Sequence, residues 1–308
     1  MVQFNQINDY ITVAQASTLK VNAVVIDCGD FLTLIDTLLL PSDIKALKHF
    51  LKEKQKPLKY LINTHWHSDH CLGNQMLRDE GTIIIAHQDY LDTLLIERKV
   101  LHQEKNNRSI FKSAKVKHHS NNHTEQCDIL EETHSKKQIN RSDLVHPNIL
   151  IKEEVRFHDS FTWHLIESPG HCYGALCVFI EELKVLITGD TVLGFPEGFF
   201  SIPYFYWGDP LIYMTTLKRL DSFDFNLIIP GHSEIQSKEL ILFYLQYLVR
   251  IILKKDELLD VKDDYTLDEL KNLIKAENCL EVIESRPLWV PEMHDLNLEK
   301  LFLTYFKK

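Results

Sequence analysis

The chain lacks most of the features that would place it in a class at once. Its six cysteines (28, 71, 127, 172, 177 and 279) show neither zinc-finger spacing nor a paired framework. That excludes a disulfide-stapled secreted scaffold and fits reduced thiols in the cytoplasm. Positive charge is in deficit, with 34 Lys and Arg against 44 Asp and Glu, a formal net charge of −10. A general nucleic-acid binder carries a basic footprint, so nucleic acid is not an expected partner. The N-terminus, Met-Val-Gln-Phe-Asn-Gln, has no basic region and no long apolar core, and no signal peptide is expected. The longest apolar stretch, 240–253, is interrupted by Gln246 and Arg250 and is short for a membrane span. It reads as a helix buried on most sides, and no membrane contact is expected. No internal repeat is visible.

What is present is an ordinary globular composition, 44% apolar and 25% charged over 308 residues. The length suits one large domain or a domain with an appendage. Within it, the stretch Asn-Thr-His-Trp-His-Ser-Asp-His at 63–70 gathers three imidazoles and a carboxylate into six residues. His65 and His67 can point the same way from an extended or sharply turned segment. Asp69 and His70 continue around the turn toward a second position. Imidazole nitrogen suits Zn²⁺, and carboxylate oxygen suits a harder ion or a bridging role.

Three later segments share one design, a short apolar run ending in a ligand at a turn. Leu-Ile-Glu-Ser-Pro-Gly-His offers His171, Val-Leu-Ile-Thr-Gly-Asp offers Asp190, and Leu-Ile-Ile-Pro-Gly-His offers His232. Glycine lets the chain turn beyond a buried strand and present the next side chain.

With these residues in view, the chain resembles the metallo-β-lactamase superfamily of hydrolases over about 10–235. His-Trp-His-Ser-Asp-His, Pro-Gly-His, Thr-Gly-Asp and Pro-Gly-His match its ordered metal motifs, and Asp36 in Leu-Thr-Leu-Ile-Asp-Thr matches its early acidic motif. The resemblance implies an α/β fold, a sandwich of two mixed β-sheets flanked by helices. It assigns His65, His67 and His171 to one divalent metal ion and Asp69, His70 and His232 to a second. Asp190 bridges the two, and Asp36 supports the ligands from behind. Zn²⁺ is the first expectation for both ions, with iron or manganese as alternatives.

Alternation of short apolar strands (11–16, 21–27, 31–35, 58–62, 82–86, 149–155, 162–166, 176–180, 184–187) with helices at 42–54, 88–97 and 209–220 suits this fold. Residues 1–237 are expected to form the catalytic domain and 238–308 a helical extension, with a capping box at Thr266. The extension offers a surface for a homodimer. The polar tract 98–146, which includes His118, His119 and His123, reads as a solvated insertion or lid. Cys71 and Cys172 each follow a ligand histidine and are expected to be small buried filler. The aromatic tract after Asp190, with Phe199, Tyr204, Tyr206 and Trp207, is expected to wall a substrate pocket, to which Tyr173 could offer a phenol.

The resemblance implies a hydrolase in which a metal-bridging hydroxide cleaves a small ester, thioester or lactone, with Asp69 and Asp190 as its catalytic carboxylates. Asp69 orients the nucleophile or shuttles its proton. A β-lactamase-like amide hydrolase and a phosphodiesterase or nuclease of the same fold are the alternatives. Asp190 separates the chain from β-lactamases that place a cysteine near this point. Two departures set it apart from nearer kin. The segment Thr-Val-Leu-Gly-Phe-Pro-Glu-Gly after Asp190 lacks the Cys-Gly-Arg of glutathione-thioester hydrolases, and Leu193 stands where acyl-homoserine lactonases carry tyrosine. A flavodiiron protein would replace His67 with glutamate, and a non-catalytic relative would have lost ligands.

Overall fold

The computed structural model describes residues 1–90, 145–194, 201–262, 264–279 and 290–307. It divides into two compact units, Met1–Lys152 and Glu153–Lys308.

The first unit is a seven-stranded sheet in chain order: β1 (Gln3–Gln6), β2 (Ile11–Gln15), β3 (Asn22–Asp27), β4 (Leu32–Ile35), β5 (Leu58–Ile62), β6 (Ile83–His87) and β7 (Ile149–Ile151). The first four strands run antiparallel and β4 through β7 run parallel. The change of direction requires a crossover, because parallel neighbours cannot be joined by a hairpin. Helix α1 (Pro41–Glu53) supplies it between β4 and β5. Pro41 opens this helix, where a missing N–H costs nothing. Ile44, Leu47 and Leu51 lie on one face of α1 and pack with Leu32, Leu34 and Leu61 of the sheet. Strand β1 was not anticipated: Gln-Phe-Asn-Gln carries little apolar signal, and its pairing with β2 places it at the sheet edge.

The second unit has a five-stranded sheet ordered β12-β11-β10-β9-β8. Its strands are β8 (Val155–Asp159), β9 (Phe161–Glu167), β10 (Leu176–Ile180), β11 (Val185–Gly189) and β12 (Leu227–Pro230). β8 through β11 are antiparallel and β11–β12 is parallel, so this sheet is mixed as well. The run 149–155, expected as one strand, is divided. β7 ends at Ile151 in the first sheet, and Val155 begins β8 in the second.

Two short helices in the first unit, α2 (Ser68–Cys71) and α3 (Asn74–Leu77), follow β5. In the second, α4 (Pro210–Asp221) crosses from β11 to β12, capped by the Asp209 carboxylate, which accepts from Leu211 N and Ile212 N. Then come α5 (Glu239–Leu259), α6 (Leu267–Leu273), α7 (Ala276–Cys279), α8 (Val290–Leu301) and a π-helical turn at Phe302–Phe306. The capping box is present: Thr266 Oγ1 accepts from Glu269 N, and the Glu269 carboxylate accepts from Thr266 N.

The helices after residue 238 are more than an appendage to the second sheet. Ile241, Tyr244, Tyr247, Leu248 and Ile251 of α5, with Leu298 and Leu301 of α8, share one core with Ile166, Cys177, Leu186 and Ile228 of the strands. A sheet face with this apolar content must be covered, and these helices cover it. Among the described residues no helix is long and apolar enough to cross a membrane. Of the tract 98–146 only residues 145 and 146 are described, so His118, His119 and His123 lie outside the described residues, as do residues 91–97 of the helix expected at 88–97.

Candidate metal centre

In the first unit, β5 ends at Ile62 and delivers Asn63, Thr64 and His65, all buried. His67 then stands at the N-cap of α2, whose single turn carries Asp69 and His70. The neighbouring strand β4 ends beside it, and Asp36 N donates to Ile62 O at 3.0 Å. Asp36 sits at φ 62°, a left-handed conformation that aspartate tolerates better than most residues.

The buried Asp36 carboxylate accepts from Thr64 N (2.8 Å), Thr64 Oγ1 (2.7 Å) and His70 Nδ1 (2.8 Å). Burial pushes this carboxyl up from its ordinary value, while His70 and the Thr64 donors pull it down. The bonding fixes two imidazole tautomers. A carboxylate only accepts, so His70 carries a proton on Nδ1, and the neutral ring presents a bare Nε2. Thr64 has one hydroxyl proton and gives it to Asp36. Its oxygen, 3.0 Å from His65 Nδ1, therefore accepts from that nitrogen, and His65 also presents a bare Nε2. His65 Nε2 lies 3.0 Å from His67 Nδ1, and His70 Nε2 lies 3.5 Å from Asp69 Oδ2. Two residues the sequence did not point to, Asn63 and Thr37, hold the His70 carbonyl at 3.1 and 3.2 Å.

In the second unit, His171 follows β9 through Ser168-Pro169-Gly170. Its Nδ1 donates to the Tyr204 carbonyl at 2.9 Å, which leaves Nε2 as the lone-pair nitrogen, 3.7 Å from Asp190 Oδ2. Asp190 follows β11 and His232 follows β12. These strands pair in parallel with Gly189 opposite Pro230, so the two side chains emerge together, with His232 Nε2 3.3 Å from Asp190 Oδ1. The glycines do more than turn the chain. A Cβ on Gly231 would lie 2.2 Å from Asp190 Oδ1 and 2.7 Å from Gly189 C. A Cβ on Gly170 would lie 2.4 Å from the Tyr213 ring. Close approach to the Gly189–Asp190 turn therefore requires glycine at 231, and close approach to Tyr213 of α4 requires it at 170.

The aromatic tract divides its duties. Phe205 is fully buried in the core, whereas Tyr204, Tyr206 and Trp207 stay half-buried beside His171. Tyr204 and Tyr206 stack at 6.5 Å, the Tyr204 ring is 5.6 Å from His171, and Trp207 bridges to Cys172 through the backbone. Tyr173 is exposed, and Phe199 lies outside the described residues. Cys71 and Cys172 are buried free thiols, as expected of filler.

The seven side chains named from the sequence (His65, His67, Asp69, His70, His171, Asp190 and His232) make up the His and Asp groups among the described residues that can hold a metal ion. Their chemistry fits one. Three histidines are anchored through Nδ1–H to a carboxylate, a hydroxyl or a carbonyl, the outer support that metal-ligating histidines characteristically have.

Residues 17–232 match the sequence profile described as the metallo-beta-lactamase superfamily. The chain belongs to that superfamily. Among its relatives is a beta-lactamase-like protein 2 homolog of Caenorhabditis elegans, 23% identical over 262 residues, covering 84% of this chain and 68% of that one. Another is the hydroxyacylglutathione hydrolase of Pelagibacter ubique, 32% identical over 159 residues; the match spans 51% of this chain and 46% of that enzyme. Among solved structures, a metallo-beta-lactamase from Pontibacter korlensis superposes with a TM-score of 0.57 at 15% identity, covering 81% of this chain and 99% of that one. At that identity the likeness shows the fold, which is the superfamily's two mixed sheets with flanking helices.

Proposed function

We propose that this superfamily member is a dinuclear metal-dependent hydrolase that cleaves a small ester, thioester or lactone. The tautomer fixing carries the reading. His65, His70 and His171 are each tied through Nδ1–H, so that Nε2 is held as a lone-pair donor. In this reading His65, His67 and His171 hold one ion, Asp69, His70 and His232 hold the other, and Asp190 serves both. Zn²⁺ is the first expectation for a donor set this rich in imidazole, with iron or manganese as the alternatives. Bound there, such ions supply hydroxide near neutral pH and a Lewis acid for the carbonyl oxygen.

The chain's own groups do the rest. Asp69, with its side chain 16% exposed, orients the attacking water and takes up its proton. Asp190, between His171 and His232, fixes the spacing of these ligands. Tyr204, Tyr206 and Trp207 offer ring surface to the apolar part of a small-molecule substrate. Within this class a thioester is favoured, because the name of the Pelagibacter relative denotes hydrolysis of an acylglutathione. The buried free thiols at Cys28, Cys71, Cys172, Cys177 and Cys279 support a reducing compartment, the cytoplasm.

Metal analysis of the purified protein, paired with hydrolysis of a thioester, a lactone, a β-lactam and a phosphodiester, tests the reading. Two equivalents of zinc with chelator-sensitive thioester, ester or lactone cleavage is the expected result. Turnover confined to the β-lactam or the phosphodiester would move the chain to another branch of the fold. One iron or no metal, with no hydrolysis, would overturn the hydrolase.

A further inference from the structure

One buried side chain of the helices after residue 238 reaches the backbone beside His171. Asn297 of α8 is fully buried. Its Oδ1 accepts from Phe205 N at 3.0 Å, and its Nδ2 donates to Pro203 O at 2.8 Å and to Tyr247 Oη at 3.2 Å. The amide orientation is set by its partners: a backbone N–H needs an acceptor and a carbonyl needs a donor, so a flipped amide would oppose both.

The two backbone groups in this fork flank Tyr204, whose carbonyl receives the His171 Nδ1–H. Asn297 therefore grips the chain one residue before and one residue after the group that sets the tautomer and ring direction of His171. The grip is itself braced. Tyr247 Oη accepts from Asn297 and so directs its own proton to His294 Nδ1 at 2.8 Å, and His294 Nε2–H donates to Ile274 O at 2.7 Å. Every proton in this chain has one consistent direction, and it requires His294 to be neutral. Burial, which lowers the His294 pKa below its ordinary value, favours that state.

We propose that Asn297 is a positioning residue for His171, acting through the Pro203–Tyr204–Phe205 backbone, so that the C-terminal helices hold one side of the metal centre. The part that concerns metal rests on the dinuclear reading above; the part that concerns the His171 ring stands without it. Loss of an outer partner of a metal-ligating histidine weakens metal binding about 10- to 100-fold. Asn297 acts one step further out, so the lower end of that range, about tenfold, is expected.

The test compares the full-length wild type with Asn297→Ala and, as a control for general loosening, Leu301→Ala, a buried core position on the same helix. Zinc affinity is measured by chelator competition, and the His171 tautomer by ¹⁵N NMR of the histidine-labelled, metal-free protein. In Asn297→Ala one of the two zinc equivalents is expected to bind about tenfold more weakly. His171 is expected to lose its single Nδ1–H tautomer. Leu301→Ala is expected to lower the melting temperature while keeping wild-type zinc affinity and tautomer. If Asn297→Ala does not fold, Asn297→Asp keeps an acceptor for Phe205 N and loses the donor to Pro203 O, and it is judged by the same two readouts. Wild-type affinity and tautomer in the Asn297 variant would overturn the proposal, as would equal weakening in Leu301→Ala. Should the wild type bind none of zinc, iron and manganese, the dinuclear reading fails, and the tautomer measurement alone decides the role of Asn297.

Discussion

Replacing Asp36 with asparagine should reverse the direction of protons at two of the proposed metal ligands at once. The wild-type carboxylate accepts three hydrogen bonds: Oδ1 from Thr64 N, and Oδ2 from both Thr64 Oγ1 and His70 Nδ1. Asparagine has nearly the same shape but only one accepting oxygen. If that oxygen stays opposite Thr64 N, the new NH₂ group faces His70 Nδ1 and Thr64 Oγ1. His70 must then move its proton to Nε2. Thr64, now accepting from the amide, turns its own proton toward His65 Nδ1, which sends the His65 proton to Nε2 as well. A protonated nitrogen cannot ligate, so both imidazoles must pass through a disfavoured tautomer to hold metal. If the amide flips instead, its NH₂ opposes the Thr64 backbone N–H, which has no alternative form, and the buried conflict costs about 1–3 kcal/mol of fold stability. Histidine changes tautomer more readily than a backbone amide finds a new acceptor, so the first outcome is expected.

Each ligand that loses its outer partner should cost 10- to 100-fold in affinity, roughly 1.4–2.7 kcal/mol per ion. In the proposed dinuclear site His65 and His70 hold different ions, so Asp36→Asn should weaken both, whereas Asn297→Ala should weaken one. Chelator competition for each zinc equivalent, with melting of the metal-free protein as a check on the fold, measures this. An Asp36→Asn protein that holds both ions within about twofold of the wild type, where a 10- to 100-fold loss is expected, would refute tautomer control by Asp36.

Other consequences can be tested alongside. His67→Ala and Asp190→Ala should each lower metal content and turnover together; a folded, metal-free variant with full activity would sink the mechanism. Gly231→Ala puts a methyl 2.2 Å from Asp190 Oδ1, and the displacement should cost about 1–3 kcal/mol of stability along with metal occupancy, visible in melting curves and metal analysis. Glu181 is held down to about 2, from an ordinary 4.5, by Arg156 and then His164. Between those values the unfolded chain binds the extra proton, so this group stabilises the fold above its ordinary pKa, and the benefit is lost as pH falls through about 2. Melting temperature should therefore fall less steeply over this acid range in Glu181→Gln than in the wild type, and identical slopes would count against the pairing. Burial pushes the Cys177 and Cys279 thiols up to about 11, so peptide mapping after iodoacetamide treatment of the native protein at pH 8 should find both unmodified.

Much of the centre could be read from local sequence because its ligands are placed by local means. A strand such as Leu58–Ile62 or Leu227–Pro230 ends in a turn, and the next residues must project from the sheet edge. Short apolar runs followed by His or Asp are therefore legible without any knowledge of the fold. The edge strand Gln3–Gln6 was not, because its polar residues become a strand only through pairing with Ile11–Gln15. The break between Ile149–Ile151 and Val155–Asp159 was also hidden, since an apolar run gives no sign that its two ends join different sheets.

Tertiary structure decided what the ligands present. His70 owes its bare nitrogen to Asp36, and His171 owes its own to a backbone carbonyl at Tyr204. A carbonyl exists at every residue, so no residue type could have marked that one. The C-terminal helices likewise read as an extension from composition, yet they close the core of the second sheet and place Asn297 around Tyr204. The sequence by itself determined which atoms could bind metal, because donor chemistry belongs to the side chain. Only the fold determined which nitrogen of each ring is available, because a proton goes to whichever acceptor the distant chain brings within reach.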